Sequence, residues 1–318
     1  MVIIVGAGPI GLATAIELKR KNIPTKIIER GCLVNSIFHY PKDMTFFSTS
    51  ERLEIGDIPF ISHNPKPTRR EALEYYRRAA ESYDLDIHLY EEVQDISGQD
   101  QSFTIQTDQD SYKASKVVVA TGFYDVPKMM DIPGEELDKV RHYYDEAHVY
   151  AWQDVLVIGG GNSAVDAALE TYRTNANVTL AVRDSQIKES VKYWVKPDIQ
   201  NRIKNEEITG YFNTDVKEIR KHEVVLDTPK GTKTIANDFV LAMTGYKPNF
   251  DLMTSFGIEL TDDKDKMPVY DEKTLETNRQ GMYVAGVVCG GMDTSKLFIE
   301  NTRVHAEHIA NDIQQKIG

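Results

Sequence analysis

Three glycines near the start of the chain have the spacing that binds a nucleotide pyrophosphate. Gly6, Gly8 and Gly11 form a G-x-G-x-x-G pattern directly after the apolar run Val2–Val5. In this pattern the first glycine makes a tight turn from strand to helix, the second lets a pyrophosphate approach the backbone, and the third lets the helix pack closely on the sheet. The start of the helix offers free N–H groups and partial positive charge to the phosphates. Glu29, 21 residues after Gly8 and at the end of the next predicted strand, is expected to accept hydrogen bonds from ribose hydroxyls.

A second glycine-rich pattern lies near the middle of the chain. Gly159, Gly161 and Ala164 have the G-x-G-x-x-A spacing and follow an apolar run. The same reasoning predicts a second dinucleotide site, with Asn162 and Ser163 near the phosphates at the start of the next helix. Both residues also suit a helix N-cap, and capping is compatible with phosphate binding.

The residues after the second pattern indicate which nucleotide it binds. The next predicted strand ends at Arg183 and has no acid where a ribose would need one. An arginine there suits the 2′-phosphate of NADPH, and Lys188 close behind could add positive charge. The alternative is that Arg183 is a solvated surface residue on a loop.

The two patterns define the expected architecture. Two strand–turn–helix starts predict an α/β fold with two Rossmann-like dinucleotide-binding domains. The segments Ala-Thr-Gly at 120–122 and Met-Thr-Gly-Tyr at 243–246 flank the second start and are interpreted as crossings between domains. We therefore expect the NADPH domain, residues 123–244, to be inserted into a discontinuous first domain formed by residues 1–122 and 245–318.

The sequence between the two glycine-rich patterns predicts a further helix and several strands. Thr68 with Glu71 three residues later is typical of a capping box and predicts a helix over Thr68–Tyr83. Apolar and β-branched runs predict strands at 86–90, 102–107 and 112–119.

Two nucleotide sites on one chain imply a redox relay. One nucleotide has to be a tightly held cofactor and the other has to exchange, and a flavin can accept hydride from a nicotinamide and pass electrons onward. We therefore predict FAD at the first site and NADPH at the second. The sequence contains no convincing Ser-His-Asp arrangement and no metal-spaced cluster of His and Cys, so no metal is predicted.

Composition limits the partners and the compartment. The 318 residues carry a formal net charge of −12, which makes nucleic acid and anionic membranes poor candidates. No apolar run reaches the length needed to span a bilayer. Two cysteines far apart in sequence argue against a disulfide framework and favour a reducing compartment, the cytoplasm. A homo-oligomer is also expected.

These features together resemble known flavoproteins. The N-terminal pattern with Glu29, the Ala-Thr-Gly crossing, the mid-chain pattern and the late run Met282–Gly286 resemble the thioredoxin-reductase-like two-domain flavoproteins. The segments Ser36–Phe60, Gly286–Val288 and Ile299–Asn301 are similar to the bacillithiol disulfide reductase family. This second resemblance is the more specific one.

The resemblance has implications for the flavin site. It implies that Thr45–Ser48 lies beside the flavin and that Ala285–Val287 closes over its ribityl chain and ring together with Ile299–Asn301. In addition to the glycines and Glu29, the cofactor-binding residues predicted for this site are Pro9, Thr45, Phe46, Phe47, Ser48, Thr121, Gly122, Gly286 and Asn301.

The sequence departs from these families at three points. It has no C-x-x-C, and Val287 occupies the position of the acid that usually follows Ala-Gly. Ile10 occupies the position at which the bacillithiol family carries a cysteine. Cys289 could stand in for that thiol, activated by a lowered pKa beside the last helix, and is the one candidate catalytic residue. The alternative is that Cys289 is a small buried hydrophobe, and Cys32, at the predicted adenosine end, is expected to be structural.

The leading functional prediction is an NADPH-dependent FAD enzyme that reduces a low-molecular-weight disulfide such as bacillithiol disulfide. One alternative is an NADPH reductase for a small redox protein such as ferredoxin or flavodoxin. Another is a flavin monooxygenase, although the chain has no good match to the F-x-G-x-x-x-H signature of that class. A non-enzymatic redox sensor is the fourth hypothesis.

Overall fold

The computed structural model describes residues 1–294 and 296–317. The chain forms two compact units. The first unit consists of Met1–His39, Asp43–Val126 and the chain from Tyr246 onward, and the second of Tyr40–Lys42 and Pro127–Gly245. The first expected boundary, after residue 122, lies four residues before the observed one. The second, after residue 244, lies one residue before the observed one. Which nucleotide each unit binds stays a prediction.

The strands over the described residues are, in chain order, β1 (Val2–Val5), β2 (Thr25–Glu29), β3 (Ile87–Leu89), β4 (Val93–Gln99), β5 (Ser102–Thr107), β6 (Ser111–Ala114), β7 (Lys116–Val119), β8 (Val126–Pro127), β9 (Val140–Arg141), β10 (Asp154–Ile158), β11 (Asn177–Val182), β12 (Thr209–Phe212), β13 (Asp215–Ile219), β14 (Glu223–Thr228), β15 (Gly231–Ala236), β16 (Phe239–Ala242), β17 (Tyr246–Lys247) and β18 (Met282–Val284).

The helices are α1 (Pro9–Arg20), α2 (Asn35–Phe38), α3 (Arg69–Ser82), α4 (Asn162–Arg173), α5 (Lys196–Lys204), α6 (Phe250–Ser255), α7 (Ile299–Thr302) and α8 (His305–Ile317). Short 3₁₀ turns lie at Ser50–Leu53, His148–Tyr150 and Gly286–Gly290. None of the described helices is long and apolar enough to cross a membrane.

The first unit is built on a parallel sheet of five strands in the order β18-β7-β1-β2-β3. All four residues of β1 are buried, because apolar side chains fill both faces of this central strand. Helix α1 packs against α8 beside the sheet, and β4, β5 and β6 form a separate antiparallel sheet. Helix α3 begins after Thr68, whose hydroxyl accepts from the Glu71 N–H while Glu71 accepts from the Thr68 N–H, which confirms the predicted capping box.

The second unit repeats the same plan. Its five-stranded parallel sheet has the order β12-β11-β10-β16-β9, and α4 packs on β10 and β11. Strands β13, β14 and β15 form an antiparallel sheet at its side. Each unit therefore places a glycine-rich turn at the carboxyl end of a central parallel strand, the expected position for a dinucleotide. The predicted α/β class with two Rossmann-like units is confirmed.

Candidate nucleotide-binding sites

The turn between β1 and α1 leaves no room for side chains at two of its glycines. Gly6 has a φ of +108°, and a Cβ there would lie 2.6 Å from the carbonyl oxygen of Ala120 at the end of β7. A Cβ on Gly11 would lie 2.0 Å from the carbonyl oxygen of Gly6. Both positions require glycine because the turn, the helix and the sheet edge contact each other through backbone atoms.

Gly8 is different, because its missing side chain would point into open space. Apart from its chain neighbours, no heavy atom lies within 4 Å of the position that its Cβ would occupy. Gly8 is the N-cap of α1 and Pro9 opens the helix, so no side chain covers the helix start. This open approach to a helix N-terminus fits the pyrophosphate of FAD, with the partial positive charge of α1 directed at the phosphates.

Glu29 lies at the end of β2 and holds the glycine turn in place. One carboxylate oxygen accepts from the Ala7 N–H at 2.9 Å, and the other accepts from the Gly31 N–H at 2.8 Å. Burial raises the pKa of this carboxyl group, and the two N–H donors oppose that rise. Each oxygen keeps a second lone pair for a ribose hydroxyl. The geometry fits the predicted ribose contact and adds a structural role that the sequence did not indicate.

A pocket opens beside Glu29 where the adenosine end of FAD is expected. It is lined by residues at the ends of β1, β2 and β7, among them Gly6, Glu29, Arg30, Thr121, Gly122 and Asp125. The Arg30 guanidinium lies 3.0 Å from the Asp125 carboxylate, whose pKa is raised by burial. The sequence prediction missed Arg30 and Asp125, although each follows a predicted site residue closely along the chain.

The turn after β18 contacts α1 at Ile10, the position for which the resemblance to the bacillithiol family implies a cysteine. Gly286 has a φ of +83°, and a Cβ there would lie 3.1 Å from Cγ1 of Ile10. The Gly286 N–H donates to Nδ1 of His305 at 3.1 Å, and the preceding Ala285 N–H donates to the Val119 carbonyl. Ile10 and Gly286 are thus in contact, and His305, which was not among the predicted site residues, holds the Gly286 turn.

The segments expected beside the flavin are joined to each other. The Ser48 hydroxyl donates to the Glu300 carboxylate at 2.7 Å. Phe46 is buried, whereas Thr45 and Phe47 are exposed.

Asn301 shapes the turn that leads into α7. Its side-chain oxygen accepts from the Phe298 N–H at 2.7 Å, and its amide nitrogen donates to the Lys296 carbonyl at 2.7 Å. A direct contact of this side chain with FAD stays a prediction.

The structure contradicts an activated thiol at Cys289. This residue is 0% exposed and belongs to the apolar core of the first unit. Burial raises the pKa of the Cys289 thiol, so the expected lowering is wrong. The adjacent Nδ1 of His305, at 3.9 Å from the sulfur, belongs to a ring whose pKa burial lowers to about 4, so no imidazolium is present near neutral pH to stabilise a thiolate. Cys32 is half-buried, and burial followed by the Glu29 charge raises its pKa as well.

The turn between β10 and α4 repeats the geometry of the first one. Gly159 has a φ of +133°, and a Cβ there would lie 2.5 Å from the Met243 carbonyl oxygen. No heavy atom lies within 4 Å of the Cβ position at Gly161, so the approach to α4 is open as it is at Gly8. Gly161 is itself the N-cap, so the alternative of Asn162 or Ser163 as the cap is wrong. Ser163 is exposed at the start of the helix.

Two cations lie on the loop that follows β11. Arg183 and Lys188 are both exposed, and over residues 1–294 and 296–317 neither side chain forms a hydrogen bond or an ion pair. The Lys188 N–H donates to the Gly160 carbonyl at 3.0 Å, which places the loop against the glycine turn. Two unpaired cations near an open helix start fit a nucleotide with an additional phosphate. The described residues hold no group of three or more His, Cys, Asp or Glu side chains placed to bind a metal ion.

The family that these two sites indicate is found by comparison with known sequences. A sequence model described as pyridine nucleotide-disulphide oxidoreductase matches residues 3–286. The chain therefore belongs to this family. Its predicted oxidoreductase class and its dependence on FAD and NADPH are confirmed, whereas the residues that bind these cofactors stay predictions.

Individual relatives cover almost the whole chain. Bacilliredoxin reductase Bdr of Bacillus subtilis (strain 168) is 43% identical over 99% of this chain and 97% of its own length. The structure of bacillithiol disulfide reductase Bdr (YpdA) from Bacillus cereus matches with a TM-score of 0.97 and 41% identity, covering 99% of each chain. Its counterpart from Staphylococcus aureus matches with a TM-score of 0.96 and 42% identity over 100% of this chain and 98% of that chain. The resemblance to the bacillithiol disulfide reductases is confirmed.

Proposed function

We propose that this chain is an FAD-dependent enzyme that oxidises NADPH and reduces a low-molecular-weight disulfide of the bacillithiol type. The observation that supports it most is the 41% and 42% identity, over nearly the full length of each chain, to the bacillithiol disulfide reductases of Bacillus cereus and Staphylococcus aureus. The overall reaction balances as NADPH, a disulfide and one proton giving NADP⁺ and two thiols.

The first unit offers the binding and orientation that this reaction needs. FAD, when bound, supplies the group that accepts hydride from NADPH and returns two electrons to the disulfide. The open Gly8 approach and the Glu29 carboxylate would hold its pyrophosphate and ribose. The Gly286 turn is held by the packing of Ile10, by the hydrogen bond to His305 and by the Ala285 N–H bond to the Val119 carbonyl. A turn held by these contacts would help to keep the reacting groups aligned.

The chain's own thiols do not carry the disulfide step in this proposal. Thiol–disulfide exchange requires an accessible thiolate. Cys289 is fully buried with a raised pKa. Ile10 stands at the position for which the resemblance to the bacillithiol family implies a cysteine. Cys32 lies next to Glu29, whose negative charge opposes a thiolate there. The disulfide is therefore reduced at the flavin site without a covalent protein–thiol intermediate.

A second candidate is reduction of a protein carrier. Ferredoxin–NADP reductase of Halalkalibacterium halodurans is 25% identical over 90% of this chain and 84% of its own. This similarity is weaker than that to Bdr, so the small disulfide remains the proposed substrate. The homo-oligomer also stays a prediction.

Steady-state NADPH oxidation with a panel of acceptors distinguishes these functions. The panel consists of bacillithiol disulfide, cystine, oxidised ferredoxin, flavodoxin and dissolved oxygen alone. The highest kcat/KM is expected with bacillithiol disulfide, with two thiols released for each NADPH consumed. A higher kcat/KM with ferredoxin or flavodoxin would replace the proposal with a carrier reductase. NADPH oxidation by oxygen alone, with hydrogen peroxide as the product and a rate that none of the other acceptors raises, would contradict both.

A further inference from the structure

Asn162 connects the second glycine turn to the loop that carries the two free cations. This residue is the first of α4, directly after the open position at Gly161. Its amide nitrogen donates to the Ser190 carbonyl at 3.2 Å, and its side-chain oxygen accepts from the Lys192 N–H at 3.0 Å. If the amide were reversed, its NH₂ group would face the Lys192 N–H and its oxygen would face the Ser190 carbonyl oxygen. The two partners therefore fix its orientation.

The loop that Asn162 holds is Arg183–Val195, between β11 and α5. Two of its side chains, Ile187 and Val191, are 3% exposed and belong to the core of the second unit. The Lys188 N–H bonds to the Gly160 carbonyl at 3.0 Å, and the Lys192 ammonium lies 2.8 Å from the Asp166 carboxylate on α4. The loop is therefore anchored through its middle, from Ile187 to Lys192, and Asn162 supplies two of the hydrogen bonds that hold it.

We propose that Asn162 is a positioning residue for nucleotide specificity. By fixing residues 190 and 192 relative to Gly159–Gly161, it sets where Arg183 and Lys188 stand with respect to a nucleotide bound at the turn. It thereby selects the nucleotide with a 2′-phosphate. The inference rests on the proposed NADPH site but concerns which residue defines it, since the side-chain hydrogen bonds of Asn162 go to the backbone of residues 190 and 192 and not to the side chains of the two cations.

Binding of two nucleotide fragments tests this role without any catalytic turnover. Adenosine 2′,5′-diphosphate carries the 2′-phosphate and ADP lacks it, and both are titrated calorimetrically into the FAD-loaded protein. Asn162→Ala should weaken adenosine 2′,5′-diphosphate about tenfold and leave ADP within about twofold, because the 2′-phosphate contacts depend on the anchored loop. Asn177→Ala is the matched control, because Asn177 makes one exposed side-chain hydrogen bond to Asp154 at the other end of β11.

A double-mutant cycle with Arg183 separates positioning from general damage to the fold. If Asn162 acts through the cations, Asn162→Ala should change affinity for adenosine 2′,5′-diphosphate much less in an Arg183→Ala background than in the wild type. Equal weakening of both fragments by Asn162→Ala, or additive effects of the two substitutions, would overturn the inference while leaving the NADPH site intact. Equal affinity of the wild type for both fragments would instead overturn the NADPH preference itself, and the inference with it.

Discussion

Gly8→Val is the substitution that most directly tests the first cofactor site. Gly8 has φ −72° and ψ 175°, an extended conformation that a β-branched residue adopts without strain. Apart from its chain neighbours, no protein atom lies within 4 Å of its Cβ position, so a valine side chain would extend into the open space assigned to the pyrophosphate. We therefore expect the protein to fold and to lose FAD.

The size of the effect follows from these two facts. A surface substitution without a clash changes the free energy of unfolding by about 0.5 kcal/mol or less. Bound FAD stabilises the wild type by about 2.7–4.1 kcal/mol when its concentration exceeds Kd by 100- to 1,000-fold. For a domain of this size that corresponds to roughly 5–16 °C in Tm. Gly8→Val should therefore melt like wild type stripped of FAD, and well below the FAD-bound wild type.

The assay combines the visible flavin spectrum of purified protein with thermal melts of both proteins, with and without added FAD. Gly11→Ala is a contrasting control, because its Cβ would lie 2.0 Å from the Gly6 carbonyl oxygen and should damage the fold itself. Gly161→Val should keep FAD and lose reduction by NADPH. Stoichiometric FAD in purified Gly8→Val would refute the assignment of the pyrophosphate to this turn.

Arg183→Ala should raise KM for NADPH by about one to two decades and leave that for NADH nearly unchanged, because one charged partner of a phosphate contributes roughly 1.5–3 kcal/mol. Lys230→Ala, on the exposed turn between β14 and β15, is the kinetic control, and equal losses for both nucleotides would assign Arg183 a structural role. Replacing Cys32 by Ser and Cys289 by Ala together should leave stopped-flow reduction of the flavin by NADPH intact, and an FAD-bound double variant that NADPH cannot reduce would contradict this. The pKa of His305 is lowered to about 4 from 6.5, so the unfolded chain binds more protons between these values, and the free energy of unfolding should fall as pH drops through this window. Urea unfolding of wild type and His305→Gln at several pH values in this window measures the effect. The free energy of unfolding should fall more steeply with decreasing pH in the wild type, and identical pH dependence of the two proteins would contradict this.

Local patterns were sufficient to predict the parts of the fold that depend on neighbours in sequence. Both glycine turns, the capping box at Thr68 and the class of the two sheets follow from short-range chemistry. The predicted strand 112–119 is instead two strands, because Ser115 breaks it by donating its N–H to the Met1 carbonyl, and the two parts join different sheets. The break depends on a residue more than a hundred positions away, which no local pattern records.

The errors in the site have the same origin. The raised pKa of Cys289 comes from complete burial in a core that β1, β7 and β18 share, and not from the glycines beside it in sequence. The two hydrogen bonds of Asn162 span 28 and 30 residues, so its capping propensity gave a wrong role. Residue types predicted which groups could act, whereas long-range contacts decided their burial and their hydrogen-bond partners.

The two glycine turns are nearly equivalent in geometry, so the difference between a retained and an exchanging nucleotide has to come from their surroundings. At the first turn the charged group at the end of the strand, Glu29, is 9% exposed and is held by two backbone N–H donors. At the second turn the corresponding groups, Arg183 and Lys188, are exposed on a loop and have no protein partner over residues 1–294 and 296–317. A buried, pre-formed contact loses little freedom on binding and has to be broken for release, whereas exposed side chains pay an ordering cost and remain accessible to water.

This contrast supports FAD as the retained cofactor of the first unit and NADPH as the exchanging nucleotide of the second. Measured dissociation rates should therefore be much slower for FAD than for NADP⁺, and comparable rates would contradict this division of roles.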